Sequence, residues 1–200
     1  MSTTGRIVPC LIATAWLAGC ATPGGIDLPP LDDWQTRQQV LAGMDRWEFR
    51  GRIGVSAGEE GFNGKLHWQQ KGQNFDATVS GPLGIGTVRI DGRRGQLTLT
   101  DKDGQVTRLD DAERDIAARY GWTIPVDSLR YWALGVPDPE IPPTSTVVDE
   151  FGRLEAMQQG DWAVTIGQYR DAAGQSMPRR LTAESPDAKV RLVVDDWTFF

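Results

Sequence analysis

Alternation of apolar and polar residues through the first half of the chain constrains its fold most strongly. Between residues 47 and 109, apolar side chains recur at every second position in short runs, and turns rich in glycine and charged residues separate these runs. A period of two is typical of β-strands with one buried face. The runs therefore predict an antiparallel meander whose inward-facing residues are Trp47, Phe49, Ile53, Val55, Phe62, Leu66, Trp68, Phe75, Ala77, Val79, Val88, Ile90, Leu97, Leu99, Val106 and Leu109.

Helical spacing replaces this alternation at three places. Asp32 or Asp33 can cap a first helix, and Asp110 and Glu113 have the spacing of a capping box at the start of a second. Glycines suited to a helix C-terminus follow the second and third patterns. We expect helices over residues 34–44, 110–121 and 125–135, and further strands from Thr146 to the C-terminus.

A sheet with one apolar face must cover that face, either by curving onto itself or with helices. The patterns amount to about ten strands and three short helices. They predict a mainly β protein with short helices: a curved, incompletely closed antiparallel β-barrel, capped by a helical lid over an apolar cavity. Because no internal repeat or linker interrupts residues 31–200, we expect a single domain there.

The N-terminus has the pattern of a secretory signal. One positive charge precedes the apolar run 7–17, which is about half of the ~20 residues that a membrane-spanning helix needs. The end of the run, Leu17-Ala18-Gly19-Cys20, resembles a bacterial lipobox, which implies removal of residues 1–19 and attachment of diacylglycerol and an N-acyl chain to Cys20. Ordinary secretion with an incidental cysteine is the alternative. Residues 20–30, rich in proline and glycine, predict a flexible tether.

Charge and residue types argue against several classes of function. The net charge is −6 and no basic block is present, so we expect no nucleic-acid partner. One histidine, His67, and no cysteine after Cys20 limit nucleophilic and zinc sites, and we expect no catalytic residue, metal or cofactor. The pairs Asp149-Glu150 and Asp195-Asp196 keep a glycan hydrolase open as an alternative. Residues 81–86 lack the lysine of a phosphate-binding loop.

Two groups of apolar residues each allow two interpretations. Leu83 and Ile85 lie in a loop of glycine and proline, where they either fold back onto the core or form an exposed probe for a membrane or a partner. The tryptophans, of which seven follow Cys20, either pack in an ordinary core or line a roomy apolar interior.

A series of short motifs runs in order along the chain and resembles the LolB family of outer-membrane lipoprotein receptors. The motifs are Trp68-Gln69-Gln70, Pro82-Leu83-Gly84, Ser128-Leu129-Arg130, Leu134-Gly135 and Asp196-Trp197. The resemblance implies a half-open barrel that accepts acylated lipoproteins from the periplasmic carrier LolA and incorporates them into the outer membrane without nucleotide hydrolysis. Ala21 after the cysteine, where inner-membrane lipoproteins commonly have aspartate, implies an outer-membrane anchor facing the periplasm.

The same resemblance suggests roles for individual residues. Pro82, Leu83 and Gly84 match the protruding loop whose apolar residue acts in membrane transfer, although Gly81 stands where relatives can carry a polar residue. We expect residues 110–121 and 126–134 to form the lid of a monomer. The candidates for the acyl-chain cavity are Trp34, Trp47, Trp68, Leu66, Leu129, Trp132 and Trp162. The alternative function is a lipoprotein that binds free lipid or acts as an assembly scaffold.

Overall fold

The computed structural model describes residues 25–81, 86–120 and 123–200. The predicted signal peptide, the predicted lipidation site Cys20 and the loop residues Pro82, Leu83 and Gly84 lie outside the described residues. Within the described ranges, no helix has the length and apolar character needed to span a membrane.

The described residues form three helices and eleven strands. The helices are α1 (Trp34–Ala42), α2 (Ala112–Tyr120) and α3 (Val126–Leu134). Six strands precede α2, namely β1 (Arg46–Ala57), β2 (Glu60–Lys71), β3 (Asn74–Ser80), β4 (Val88–Arg93), β5 (Gln96–Thr100) and β6 (Val106–Leu109). Five follow α3, namely β7 (Ser145–Val148), β8 (Leu154–Gln159), β9 (Trp162–Ala172), β10 (Gln175–Glu184) and β11 (Lys189–Phe199).

All eleven strands belong to one antiparallel sheet, in the order β6-β5-β4-β3-β2-β1-β11-β10-β9-β8-β7. The first and last strands pair at its centre, from Trp47 opposite Phe199 to Ser56 opposite Lys189. The edge strands β6 and β7 do not pair with each other, and the segment that joins them carries α2 and α3. The prediction of a mainly β, incompletely closed antiparallel fold is therefore confirmed.

Contacts of α3 demonstrate that the sheet is curved. Asp127 on this helix accepts a hydrogen bond from the backbone of Gly95, in the turn after β4. The ring of Trp132, on the same helix, lies 5.9 Å from that of Trp162 at the start of β9. In a flat sheet these strands would be roughly 29 Å apart at ~4.8 Å per strand, whereas a nine-residue helix is only about 14 Å long. The sheet must therefore wrap around α3.

Inward-facing aromatic rings fill one end of the concave face. Trp47 stacks on Phe49 and Trp68 at centroid distances of 6.0 and 6.3 Å, and Trp68 stacks on Phe75 at 4.1 Å. These four side chains are each no more than 5% exposed. Trp197 packs edge-on against Trp47 at 5.6 Å. For these tryptophans, core packing is thus the observed arrangement.

The segment before α1 is docked onto the sheet rather than free. Ile26 donates its backbone N–H to the Phe199 carbonyl, and Leu28 donates to the Ala173 carbonyl, each at 2.9 Å. Leu28 is buried. Backbone hydrogen bonds, which no side-chain pattern reveals, therefore hold Ile26 and Leu28 in place, and the flexible tether over residues 20–30 stays a prediction.

Capping differs at one helix from the expectation. Asp33 caps α1 by accepting the Thr36 N–H at 2.9 Å, one of the two predicted possibilities. At α2 the cap is Asp111, which accepts the Arg114 N–H at 3.1 Å, and not Asp110. The helix begins one residue later than the capping-box pattern indicated, because the adjacent aspartates offer equivalent caps.

We predict that Gly92→Ala destabilises the fold by about 1–3 kcal/mol, the usual cost of overpacking a core. A Cβ atom at this position in β4 would overlap the ring of Phe75, which cannot move because it is stacked on Trp68. Urea unfolding measures the loss. Gly54→Ala in β1 is the matched control, since its Cβ meets no atom within 4 Å; equal stability of the two variants would contradict the prediction.

Candidate functional site

An apolar cavity of about 490 Å³ lies under the half of the sheet formed by β2–β6. Its polar lining includes Asn63 and Asp115. The apolar lining consists of aliphatic side chains and one phenylalanine, contributed by five strands, by α2 and by the residues before α3: Phe62, Val79, Val88, Ile90, Leu97, Leu99, Leu109, Ile116 and Ile124.

The cavity exists because the inward-facing residues change in size along the sheet. The aromatic stack ends at Phe75, and the side chains of β4, β5 and β6 that line the cavity beyond it are all Val, Ile or Leu. Ile90, Leu99 and Leu109 remain half-buried, so α2 covers them without sealing the space. The alternation that predicted these inward-facing residues could have located the cavity, had their smaller size been taken into account.

The seven predicted cavity residues lie elsewhere in the core. None of them lines the 490 Å³ cavity. Six are buried and Trp34 is half-buried in α1. Trp47 also borders a separate pocket of about 270 Å³ between α1 and α3. The contact of these residues with acyl chains stays a prediction, and the structure places them as follows: Trp34 in α1, Trp47 in β1, Leu66 and Trp68 in β2, Leu129 and Trp132 in α3, and Trp162 in β9.

Hydrogen bonds explain why two of these tryptophans are fixed in the core. The indole Nε1 of Trp68 donates to the Gln70 side chain at 3.0 Å. That of Trp132 donates to the Gln159 side chain at 2.6 Å. A buried indole that has a hydrogen-bond partner can remain enclosed without the desolvation cost of an unpaired N–H group.

A buried polar network holds α3 firmly against β8. Ser128 donates its hydroxyl to the Asp138 carboxylate at 2.7 Å. Gln159 donates from Nε2 to the Asp138 carbonyl at 2.9 Å, and its Oε1 accepts the N–H groups of Asp138 and Trp132. These buried polar residues were not identified from the sequence, because their partners are distant along the chain.

The second lid helix, α2, has fewer attachments. Its first residue, Ala112, is buried and donates its N–H to the Gly95 carbonyl at 2.6 Å. Ile116 faces the cavity and is half-buried. The carbonyl of Gly95 therefore contacts the start of α2, and the N–H of Gly95 contacts the Asp127 carboxylate of α3. The two helices share this turn as a common attachment.

Acidic side chains cluster where α2 and α3 approach the β4–β5 turn. Six of them surround a pocket of about 400 Å³: Asp110, Asp111, Glu113, Asp127, Asp138 and Glu140. Partial burial, and then the charges of Asp127, Asp111 and Asp138, raise the pKa of Glu113. Burial also raises the pKa of Asp127, with Asp138 and Glu140 adding to the effect and Arg130 opposing it. The start of α2 is thus under like-charge repulsion at neutral pH.

Each of the two carboxylate pairs that left a glycan hydrolase as an alternative has a member in an ion pair with an arginine. Asp149 pairs with Arg153 at 2.7 Å and accepts the backbone N–H groups of Phe151 and Arg153. Burial raises the pKa of Asp149, but these hydrogen bonds outweigh burial and lower it overall. Asp195 pairs with Arg52 at 3.0 Å. A lowered pKa is opposite to what a general acid requires.

His67 and the other potential ligands do not form a metal centre. The imidazole Nε2 of His67 lies 3.6 Å from the Glu48 carboxylate on the outer face of β2. Across residues 25–81, 86–120 and 123–200, no group of three or more His, Cys, Asp or Glu side chains is arranged to hold a metal ion.

We predict that Glu113→Gln stabilises the protein at pH 7, by less than about 1 kcal/mol because the side chain is only partly buried and water screens its charge. The raised pKa means that the folded state binds the proton more tightly than the unfolded state, so stability decreases as the pH rises through the folded-state pKa. The gain from the substitution should disappear well below pH 4.5, the ordinary value for this carboxyl. Urea unfolding across pH measures it, with the exposed Glu60→Gln as control; a gain that is independent of pH would refute the repulsion.

Comparisons with known proteins agree with this architecture. A LolA superfamily protein from Nitrosomonas europaea superposes with a TM-score of 0.52 at 10% identity, covering 84% of this chain and 94% of that one. At this identity the likeness concerns the fold alone. It shows that an open sheet with helices, like the one described here, also occurs in that protein.

Sequence relatives define the family. The outer-membrane lipoprotein LolB of Nitrosococcus oceani is 33% identical over 194 residues, which cover 96% of each chain. The protein of the same name from Cellvibrio japonicus is 33% identical over 191 residues, covering 94% of this chain and 93% of that one. The family model described as outer membrane lipoprotein LolB matches residues 45–197. On this evidence the chain belongs to the LolB family of outer-membrane lipoproteins.

Proposed function

We propose that this protein is a receptor that accepts acylated lipoproteins from a LolA-type periplasmic carrier and incorporates them into the outer membrane without nucleotide hydrolysis. The observation that carries this proposal is the aliphatic cavity between β2–β6 and α2 in a chain of the LolB family. Exposing acyl chains to water costs about 0.8 kcal/mol per methylene. An apolar enclosure is therefore what a protein needs in order to hold such a client.

The volume of the cavity indicates that the lid must move. About 490 Å³ falls within the roughly 300–1,000 Å³ typical of sites for one small ligand. A client with three acyl chains carries dozens of methylenes and needs more space. Since α3 is fixed by the buried Ser128–Asp138–Gln159 network, α2 is the element that we expect to move outward.

The anchor and the loop fit the same scheme. We propose that removal of residues 1–19 leaves an acylated Cys20, which holds the domain at the periplasmic face of the outer membrane. Gly81 and Gly86, which flank the Leu83 loop, both line the apolar cavity. We propose that Leu83, whose position between these two glycines is known from the sequence alone, contacts the bilayer during release.

The acidic cluster provides a means of attracting the carrier. Asp110, Asp111 and Glu113 lie at the start of the movable helix, beside Asp127 of α3. Complementary charge increases association rates more than it increases affinity. We propose that a basic rim of the carrier approaches this cluster before the client passes into the cavity.

Binding of a free lipid is the second candidate function, and the size of the cavity favours it. A space of about 490 Å³ suits part of one lipid without movement of α2. The full-length protein, incubated with a loaded LolA-type carrier, distinguishes the two. Transfer of the lipoprotein supports the receptor, whereas copurified lipid without transfer supports the alternative.

Filling the cavity should weaken the binding of acyl chains. We predict that Leu99→Trp lowers the affinity for a fluorescent fatty acid at least tenfold, because the added ring occupies the space that the probe requires. Thr98→Trp is the control, since the neighbouring side chain of β5 points to the opposite face. Fluorescence titration measures both variants, and equal affinities would exclude this cavity as the binding site.

Replacing Leu83 should slow the release of lipoprotein into a bilayer without affecting its acceptance from the carrier. Leu83→Asp is expected to accept lipoprotein from the carrier at the normal rate and to insert it into liposomes at least tenfold more slowly, because a carboxylate resists entry into the bilayer. Val147→Asp, at a position 52% exposed on edge strand β7, controls for a new surface charge. Normal insertion by Leu83→Asp would overturn the role of this loop.

A further inference from the structure

A buried arginine on α1 has no acidic partner among the described residues. Arg37 is 2% exposed. Its Nη1 donates to the Ser176 carbonyl of β10 at 2.9 Å, and its Nε has no hydrogen-bond partner in the described part of the chain. A guanidinium has five N–H donors and stays protonated at neutral pH, so an enclosed and largely unpaired one is energetically costly.

This arginine lines a pocket of about 390 Å³ that is separate from the apolar cavity. The pocket lies between the segment preceding α1, the turn between β7 and β8, and the start of β10. Its lining includes Leu31, whose N–H donates to the Gln175 side chain at 3.2 Å. A second guanidinium, that of Arg153, also lines it.

The charges of the pocket are arranged in two layers. Arg153 is neutralised by Asp149, to which its Nε and Nη2 both donate at 2.7 Å. Asp149 also attracts Arg37 electrostatically, but among the described residues Arg37, at the buried end, makes no ion pair of its own. Two exposed carboxylates, those of Asp32 and Glu150, also line the pocket. A ligand with an anion at one end and a cation at the other would match the buried guanidinium of Arg37 and the two exposed carboxylates.

An apolar ring beside these charges points to a lipid. Phe151, between Glu150 and Arg153, is 59% exposed, and the guanidinium of Arg153 lies 4.8 Å from its centroid. Ile26, which is docked on the sheet, lies six positions after the proposed anchor at Cys20. At ~3.5 Å per residue this segment spans at most about 21 Å, which keeps the docked N-terminal segment near the bilayer surface.

We infer that this pocket binds the phosphoethanolamine headgroup of a membrane lipid. The phosphate contacts Arg37, the ammonium group contacts Asp32 and Glu150, and Phe151 lies against the glycerol or the first methylenes. The pocket shares no lining residue with the apolar cavity. Failure of headgroup binding would therefore overturn this inference and leave the proposed transfer of lipoproteins standing.

Calorimetric titration of the full-length protein in detergent micelles tests the recognition. We expect glycerophosphoethanolamine to bind at least fivefold more tightly than glycerophosphoglycerol, inorganic phosphate or ethanolamine. The double substitution Asp32→Asn and Glu150→Gln should abolish the preference for the amine. Equal binding of all the phosphate compounds to the wild type would reduce the pocket to a simple anion site, and no binding would refute it altogether.

Substitution of the arginine tests the phosphate contact. Arg37→Lys keeps the charge but loses the planar donor arrangement, and it should weaken glycerophosphoethanolamine binding at least fivefold. Arg50→Lys, whose side chain is 67% exposed on β1, is the matched control. Urea unfolding verifies that both variants fold, and an unchanged affinity in folded Arg37→Lys would contradict the inference.

Nanodiscs distinguish a lipid from a soluble headgroup compound. Hydrogen exchange of residues 149–153 in the full-length protein should be slower in phosphatidylethanolamine discs than in phosphatidylglycerol discs. If only added glycerophosphoethanolamine gives protection, the ligand is soluble and the lipid assignment is wrong.

Discussion

Pairing of the first strand with the last is the interaction on which the rest of the structure depends. β1 and β11 are separated by most of the chain, yet they lie side by side at the centre of the sheet. At Gly51 the two strands approach so closely that a Cβ would overlap the Val193 carbonyl. This pairing joins two meanders, each built from local hairpins, into one curved surface. Without it neither meander could enclose α3, and the two lid helices would have no common support.

The second determinant is the division of the concave face into an aromatic and an aliphatic part. Stacked rings from Trp47 to Phe75 pack closely at their end, and the indole N–H of Trp68 is paired with Gln70. The aliphatic side chains of β4–β6 are too small to reach α2 in the same way, so space remains beneath it. Close aromatic packing and the apolar cavity thus occupy different parts of one concave face, and β2 and β3 contribute to both.

Much of this architecture follows from the sequence, for physical reasons. The period of two predicted the strands of the first meander because inward residues are mostly buried, and the glycine-rich turns separated them correctly. The prediction was wrong for Val106, which is 52% exposed, because Thr107 and Leu109 are the residues of β6 that lie opposite Leu99 and Leu97. Helix positions followed from spacing and terminal residues, as Gly135 illustrates: it adopts φ +78° directly after α3. These features depend on residues that are close in the chain.

Other features depend on contacts that the sequence does not encode locally. Trp132 is enclosed because Gln159, 27 residues away, accepts its N–H. The local sequence around Trp132 therefore could not show whether its ring lines a cavity or packs in the core. The docking of Ile26 and Leu28 uses backbone groups, which every residue possesses. Arg37 looks like an ordinary helical arginine until its burial is known.

The unpaired seam between β6 and β7 has a consequence for the energetics of opening. Widening a closed barrel breaks a ladder of interstrand hydrogen bonds, each of which contributes about 0.5–1.5 kcal/mol. Here the two edge strands share no such ladder, so the gap can expand while the rest of the sheet keeps its register. The resistance to expansion comes from apolar packing beneath α2, which an entering acyl chain can replace with contacts of the same kind. Under the proposed function, part of the packing lost on opening would therefore be regained when an acyl chain fills the space.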